Sequence, residues 1–202
     1  MGGATDPVGI TDSVIAKLGK VTEKLHIGGL VRPRMRPEHM GIVGWVEVKL
    51  IGPDGNLKYH EIGRNLVTDN GDEEIARRIA DDATDIVTGM RLGTGVTAVA
   101  KNGAGANIVT YIATSAEALD AAATFSDKGA GLGFRTTHIS TWIAGDITNP
   151  AITETVLTSE TPITDAAGVL ANVVARFLFA AAIDKQAGDS LKVTWHLDVL
   201  GA

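Results

Sequence analysis

The feature that most constrains the fold is the alternation of apolar and polar residues near the C-terminus. Every second residue from Leu191 to Val199 is apolar, and in residues 134–143 one set, Phe134, Thr136, His138, Ser140 and Trp142, alternates with the residues between them. Successive side chains of a strand point to opposite faces, so this pattern predicts strands with one buried face. Residues 173–183 form a longer apolar run with β-branched and aromatic members. The last third of the chain is therefore predicted to be β.

Similar patterns occur earlier in the chain. Residues 43–50 alternate, and a second strand is predicted over 57–62 after the Pro-Asp-Gly-Asn turn of residues 53–56. Further strands are predicted over 86–92 and 151–158. We find no strand-helix-strand alternation. The prediction is thus a mainly β protein, an antiparallel β-sandwich with one packed α-helix.

Two helices are predicted in this part of the chain. The better defined one covers residues 71–82, with Asn70 as its cap, acidic residues in its first turn, and Ile75 and Ile79 on its buried side. A second, short helix is predicted over residues 115–123.

The first 42 residues have a different character. Residues 11–26 predict a short amphipathic helix, and the prolines and arginines that follow predict an extended arm. We therefore divide the chain into an N-terminal arm, 1–42, and a β-sandwich domain, 43–202. The apolar stripe of the arm could pack on its own domain or on a neighbouring chain. The candidate assembly contacts are Val14, Leu18, Val21, Leu25, Arg32, Arg34, Arg36 and Trp45.

The charge distribution separates the arm from the rest of the chain. Residues 1–40 carry six basic and four acidic residues, a net charge of +2. Because the net charge of the whole chain is −6, the remainder carries −8. Because affinity for phosphates depends on Lys and Arg, an acidic body disfavours nucleic-acid binding. The sequence has no run of about 18 apolar residues, so no membrane span is expected. It shows no signal-peptide pattern, so synthesis and folding are expected in the cytoplasm.

No pattern of residues predicts catalysis. Cysteine is absent, and none of the five histidines forms a metal-binding motif. His138 and His196 lie on predicted strands and could meet across the sheet, but we interpret them as core or surface residues. The Leu-Gly-Thr-Gly of residues 92–95 lacks the Gly-Lys-Ser/Thr of a phosphate loop. We therefore predict no catalytic, cofactor or metal site, and no enzyme.

The order of several short segments resembles a family of virion proteins of tailed bacteriophages. That family carries an N-L-V-T-x-x-G segment, a helix, an A-L-G-T-G-T-x-x-A segment, an I-T-E-x-G strand and a closing L-x-V-T-W strand. The matching stretches here are GRNLVTDNG at 63–71, MRLGTGVTA at 90–98, AITE at 151–154 and LKVTW at 191–195.

The resemblance implies a structural part of a phage particle. The arm before a compact β domain favours a capsid decoration or cement protein, which would bind the major capsid protein or other virion proteins. A homo-oligomer is expected, and a trimer is favoured. A tail, collar or baseplate component is the alternative. A carbohydrate-binding β-sandwich or a hydrolase would need paired carboxylates in one cleft, which the sequence does not place.

Overall fold

The computed structural model describes residues 25–27, 30–32, 41–82, 86–130, 132–168 and 172–200, the first two segments by their backbone alone. The chain divides into two compact units, Met1–His39 and Met40–Ala202.

In the first unit, strands β1 (Leu25–Ile27) and β2 (Leu30–Arg32) pair antiparallel. The helix predicted over residues 11–26 is therefore wrong at its C-terminal end, and the rest of it lies outside the described residues. Two glycines separate the strands in the sequence, and a Gly-Gly pair favours a tight hairpin over a continuing helix.

The second unit contains one helix and nine strands in its described residues, and all its strand pairs are antiparallel. The prediction of a mainly β protein is confirmed. The elements are β3 (Gly41–Ile51), β4 (Leu57–Val67), α1 (Asp69–Ile79), β5 (Gly89–Gly93), a 3-10 turn (Gly103–Ala106), β6 (Glu117–Ala118), β7 (Thr124–Asp127), β8 (Phe134–Trp142), β9 (Asn149–Thr158), β10 (Val173–Lys185) and β11 (Ser190–Leu200).

The nine strands form one curled sheet in the order β6-β5-β9-β10-β4-β3-β11-β8-β7. Only two residue pairs join β10 to β4 at its centre. The curl brings β6 and the residues after it alongside β8, where the Asp120 N–H donates to the Ile139 carbonyl at 2.8 Å. The Ser140 hydroxyl donates to the Ala118 carbonyl at 3.0 Å in the same region. The division into two separate sheets that a sandwich implies is not confirmed.

The core fills the inside of this curl. Val46, Val48 and Leu50 of β3 are buried, and their counterparts on β11 face the same interior. Trp142 and Trp195 are fully buried. Burying such side chains is the main source of stability, at about 25 cal/mol for each Å² of apolar surface.

The hairpin of β3 and β4 also agrees with the prediction of a turn over residues 53–56.

The helix differs from its prediction in two ways. It begins at Asp69, and Thr68 caps it, because the extended backbone of Thr68 lets its hydroxyl accept the Gly71 N–H at 3.0 Å. The predicted cap, Asn70, lies inside the helix. The predicted buried stripe is present only in part, since Ile75 is half-buried but Ile79 is 71% exposed.

The helix contacts the sheet mainly at its N-terminal end. A Cβ at Gly71 would lie only 2.2 Å from the Val174 carbonyl oxygen, so glycine permits this close approach. Beyond this end the helix buries less of its surface, since Ile75 is half-buried and residues 76–79 are exposed.

Residues 115–123 do not form the predicted short helix. Ser115 is buried, its hydroxyl bonds both the amide and the carbonyl of Leu92, and its own carbonyl accepts from the Trp142 indole at 2.9 Å. These tertiary hydrogen bonds override the local helix preference of an alanine-rich segment.

The strand β7 was not predicted. No helix in the described residues is long and apolar enough to cross a membrane.

Candidate functional site

The structure describes three of the eight predicted assembly contacts. Val14, Leu18, Val21, Arg34 and Arg36 lie outside the described residues. Leu25 and Arg32 are backbone partners across the β1–β2 pair. Their roles as contacts therefore stay predictions.

Trp45 is the one predicted contact whose side chain is described. It is half-buried on β3, and the Arg64 guanidinium of the neighbouring strand lies 4.8 Å from the centre of its ring. This is the geometry of a cation–π contact. Next to this pair is a cleft of about 510 Å³, whose lining includes Gly44 and Asn65. Arg64 is one of the residues that line this cleft, and the role of Trp45 as an assembly contact stays a prediction.

A buried ion pair joins strands β9 and β10. Glu154 of β9 and Arg176 of β10 are both 0% exposed, and Nη2 of Arg176 is 2.7 Å from Oε2 of Glu154. The second hydrogen bond of this pair, from Nε of Arg176, is 3.0 Å long. Two charges in such a place are costly unless they are fully paired and hydrogen-bonded.

Backbone groups of residues 94–110, here called the Gly/Ala segment, complete the coordination of this pair. Glu154 accepts hydrogen bonds of 2.9–3.2 Å from the amides of Gly95, Val109 and Thr110. Arg176 donates from Nη1 to the carbonyls of Thr97 and Gly105 at 2.9 and 3.0 Å.

Glycine is required beside this pair, because a Cβ at Gly93 or Gly95 would lie 2.5 or 2.4 Å from Oε1 of Glu154. The Leu-Gly-Thr-Gly sequence therefore makes room for a carboxylate of the protein itself. Since the carboxylate and the guanidinium are fully engaged with protein groups, the pair is suited to fixing the Gly/Ala segment. It is not suited to acid–base chemistry.

Arg91 forms a second buried junction. Its side chain is 1% exposed and pairs with Glu160, and it donates to the Thr164 carbonyl at 3.1 Å. Asp165 bonds the Tyr111 hydroxyl and accepts the Thr114 amide at 2.6 Å. These contacts hold residues 159–168 against the edge of β5.

Asp198 of β11 forms a third cluster. Arg135 contacts both of its carboxylate oxygens, at 2.6 and 2.9 Å, and Lys128 lies at 2.6 Å. The hydrogen bonds from Arg135 are the largest cause that lowers the pKa of Asp198 to about 2. This cluster fixes the β7–β8 hairpin against β11.

His138 and His196 lie on neighbouring strands but do not form a site. His138 is opposite Trp195 in the sheet and is 6% exposed. His196 follows Trp195 on β11, so its side chain points to the other face of the sheet. There its Nδ1 is 2.9 Å from the Thr137 hydroxyl. Burial lowers the pKa of His138 to about 4. No group of three or more potential metal ligands is present among the described residues.

The uncovered end of the sheet is the feature that the sequence analysis missed. Among the described residues, no strand pairs with the outer edge of β7. Phe125 of β7 and Phe134 of β8 stack at 5.3 Å and are 69% and 47% exposed. Leu132, in the turn between them, is 59% exposed. The alternation Thr-Phe-Ser before the Asp-Lys-Gly turn was the available signal. We call Phe125, Leu132, Phe134 and the outer edge of β7 the aromatic edge.

Comparison with known proteins identifies no relative. No protein-family model, no curated protein and no solved structure matches this chain. The functional assignment therefore depends on the residues and geometry described above, and the resemblance to phage virion proteins stays a prediction.

Proposed function

We propose that the chain is a structural protein of a tailed-phage particle that acts by binding other chains, as a decoration or cement protein of the capsid shell. The observation that carries this proposal is the aromatic edge. The proposal includes no catalytic step, cofactor or metal.

The aromatic edge has the two properties of an assembly surface. The outer side of β7 presents amide and carbonyl groups to which a further strand can bond, and natural proteins usually block such edges. The stacked Phe125 and Phe134 add exposed apolar area at the same place, and contiguous exposed apolar patches mark protein contacts. A protein that functions within a lattice can leave such an edge open, because a neighbour covers it.

The proposed architecture is a two-layer antiparallel β-sandwich that follows an extended arm, residues 1–42. The basic arm and the acidic remainder of the chain have complementary charges, which supports contacts between copies or with an acidic shell surface. The partners are the major capsid protein or other virion proteins, and the favoured oligomer is a trimer. The protein is made in the host cytoplasm and functions in the virion.

The aromatic edge is tested by a double substitution, Phe125→Ser with Phe134→Ser. We expect the oligomer of the full-length chain to dissociate, measured by light scattering coupled to size exclusion. The matched control is Ile143→Ser, because Ile143 is similarly exposed, at 59%, but lies outside the aromatic edge. An unchanged mass of the double variant, or equal dissociation of the control, contradicts the role of this edge.

The location is tested on particles. Removing the protein from purified particles is expected to lower their resistance to heat, and readdition is expected to restore it. Gold labels against the protein should cover the capsid. Unchanged heat resistance, with labels confined to the tail, contradicts the capsid proposal and favours a tail, collar or baseplate component.

A further inference from the structure

The interior of the curled sheet opens into a groove next to helix α1. The groove has a volume of about 720 Å³, within the range of about 300–1,000 Å³ that is typical of ligand pockets. Its floor includes inward-facing residues of β8, β10 and β11, so it is continuous with the hydrophobic core. Its lining includes Ile75, Val87, Leu119, His138, Val174 and Leu197.

The lining of the groove is mainly aliphatic, and small residues keep it open. Ala121, Ala122 and Ala123 form part of one wall. These residues are exposed, so their methyl groups leave space that larger side chains would fill. An apolar occupant would gain free energy by covering this surface and the floor below it.

Among the described residues that line the groove, the charged side chains are Glu74 and Arg78, which pair with each other. Nη2 of Arg78 is 3.1 Å from Oε1 of Glu74, one helical turn away on α1. A paired carboxylate and guanidinium present no net charge to an occupant. The electrostatics therefore favour an uncharged occupant over an anion or a cation, each of which would also lose its hydration.

One polar group in the floor lacks a partner. Nδ1 of His138 is buried and has no hydrogen-bond partner among the described residues. Trp195 is opposite His138 in the sheet, and its indole nitrogen is also buried without a hydrogen-bond partner among the described residues. Buried polar groups are nearly always hydrogen-bonded, so an unpaired imidazole in a groove points to a missing partner. The His138 ring is part of the groove lining, so it lies within reach of an occupant.

We propose that the groove binds a free, uncharged and mainly aliphatic small molecule, of the class of medium-chain alcohols, whose single polar group hydrogen-bonds to the His138 ring. The aliphatic part covers Leu119, Val174 and Leu197. This site is separate from the aromatic edge, so it can fail while the assembly proposal stands.

The test uses 1-octanol as the probe and the full-length protein, observed by NMR of methyl groups. We expect saturable shifts of the Leu119, Val174 and Leu197 methyl signals. Octanoate and octylammonium should bind at least about tenfold more weakly, because each brings an unpaired charge. The substitution Ala122→Phe should weaken 1-octanol binding by about tenfold by filling the groove. His138→Phe should weaken it by about three- to tenfold, the effect of one hydrogen bond.

The matched control is Ala182→Phe, at an exposed alanine of β10 outside the groove. It should leave the affinity for 1-octanol unchanged. The absence of saturable shifts, equal binding of octanoate, or equal weakening by Ala182→Phe overturns the proposal. If 1-octanol does not bind and Ala122→Phe alters the oligomeric mass, the groove is an interface between copies, and the proposal is likewise overturned.

Discussion

Buried charges of single residues fix the irregular segments of the described chain. Glu154 and Arg176 hold the Gly/Ala segment, and Arg91 holds residues 159–168. Lys185, also fully buried, donates to the carbonyls of Ile143 and Ile147 at 3.2 and 3.0 Å. In each case a side chain on a strand supplies the hydrogen bonds that a loop cannot make internally.

The substitution Arg176→Met is expected to lower the free energy of unfolding by about 3–5 kcal/mol, because it leaves Glu154 buried without its counter-charge. Urea unfolding followed by circular dichroism measures the change. The control is Arg77→Met, which breaks the exposed pairs of Arg77 with Glu73 and Asp82. Together these pairs should contribute less than about 1 kcal/mol. Similar losses from the two variants would contradict a special role for the buried pair.

His138 makes stability depend on pH. Its folded pKa of about 4 lies below the ordinary 6.5, because burial and, to a lesser degree, His196 disfavour the charged ring. Between these pH values the unfolded chain binds more protons, so stability falls as the pH falls through this window. The expected loss from pH 7 to pH 4 is about 3 kcal/mol, measured by urea unfolding at each pH.

The substitution His138→Phe should remove most of this slope. A shallower slope should remain, because burial also lowers the pKa of His196. The exposed His60 provides the control, and the His60→Phe variant should retain the full dependence of stability on pH. A wild-type protein whose stability is constant from pH 7 to pH 4 would show that His138 is not buried in the neutral form.

At the scale of elements, α1 depends on its first turn for its position. Thr68 caps the helix and also donates to the Val173 carbonyl, while Gly71 permits contact with β10. The last turn of the helix, from Ala76 to Ile79, is exposed, so few contacts could compensate for the loss of this end.

Thr68→Val should therefore destabilise the protein by about 1–3 kcal/mol, because it leaves two buried backbone groups without partners. The midpoint of urea unfolding measures this loss. The comparison is Thr141→Val, which removes a hydroxyl that bonds the exposed Asp120. We expect that change to cost less than about 0.5 kcal/mol. Equal midpoints for the two variants would show that Thr68 is dispensable as a cap.

Strands were more predictable than helices for a physical reason. Strands such as β3 and β11 have one face in the core, so their alternation is visible in the sequence. The helix predicted over residues 115–123 failed because Ser115 and Trp142, 27 residues apart, form a hydrogen bond that no local pattern reveals. The exposure of Ile79 depends in the same way on how the helix meets β10.

At the scale of the whole molecule, every strand pair of the nine-stranded sheet lies within residues 41–200. A chain that starts at Met40 is therefore expected to fold, with the circular dichroism of a β protein and a cooperative urea transition. Under the proposed function, its assembly should be weaker than that of the full chain, measured by light scattering. A truncated chain without a cooperative transition would show that residues 1–39 are needed to fold the sheet.

The sequence indicated the class of the fold but not how the sheet closes. Alternation identifies a strand and its buried face, yet it does not say which strands are neighbours. The curl depends on contacts such as that of Asp120 with Ile139, and the aromatic edge exists because β7 comes last in the order. The groove and its unpaired His138 follow from this closure. The site proposed for a ligand could thus be found only from the three-dimensional structure.

The junction of Glu154 and Arg176 also has a consequence for how this chain can evolve. Glu154 pairs with the guanidinium of Arg176, which lies 22 residues later in the chain. Its carboxylate also accepts the amide of Gly95, 59 residues earlier, at a position where only glycine fits. A change in one partner alone would be selected against, so substitutions at these positions should be inherited together. Distant descendants of this chain should therefore either keep the glycines, the carboxylate and the guanidinium as a set or replace them as a set, while the exposed residues around them diverge freely.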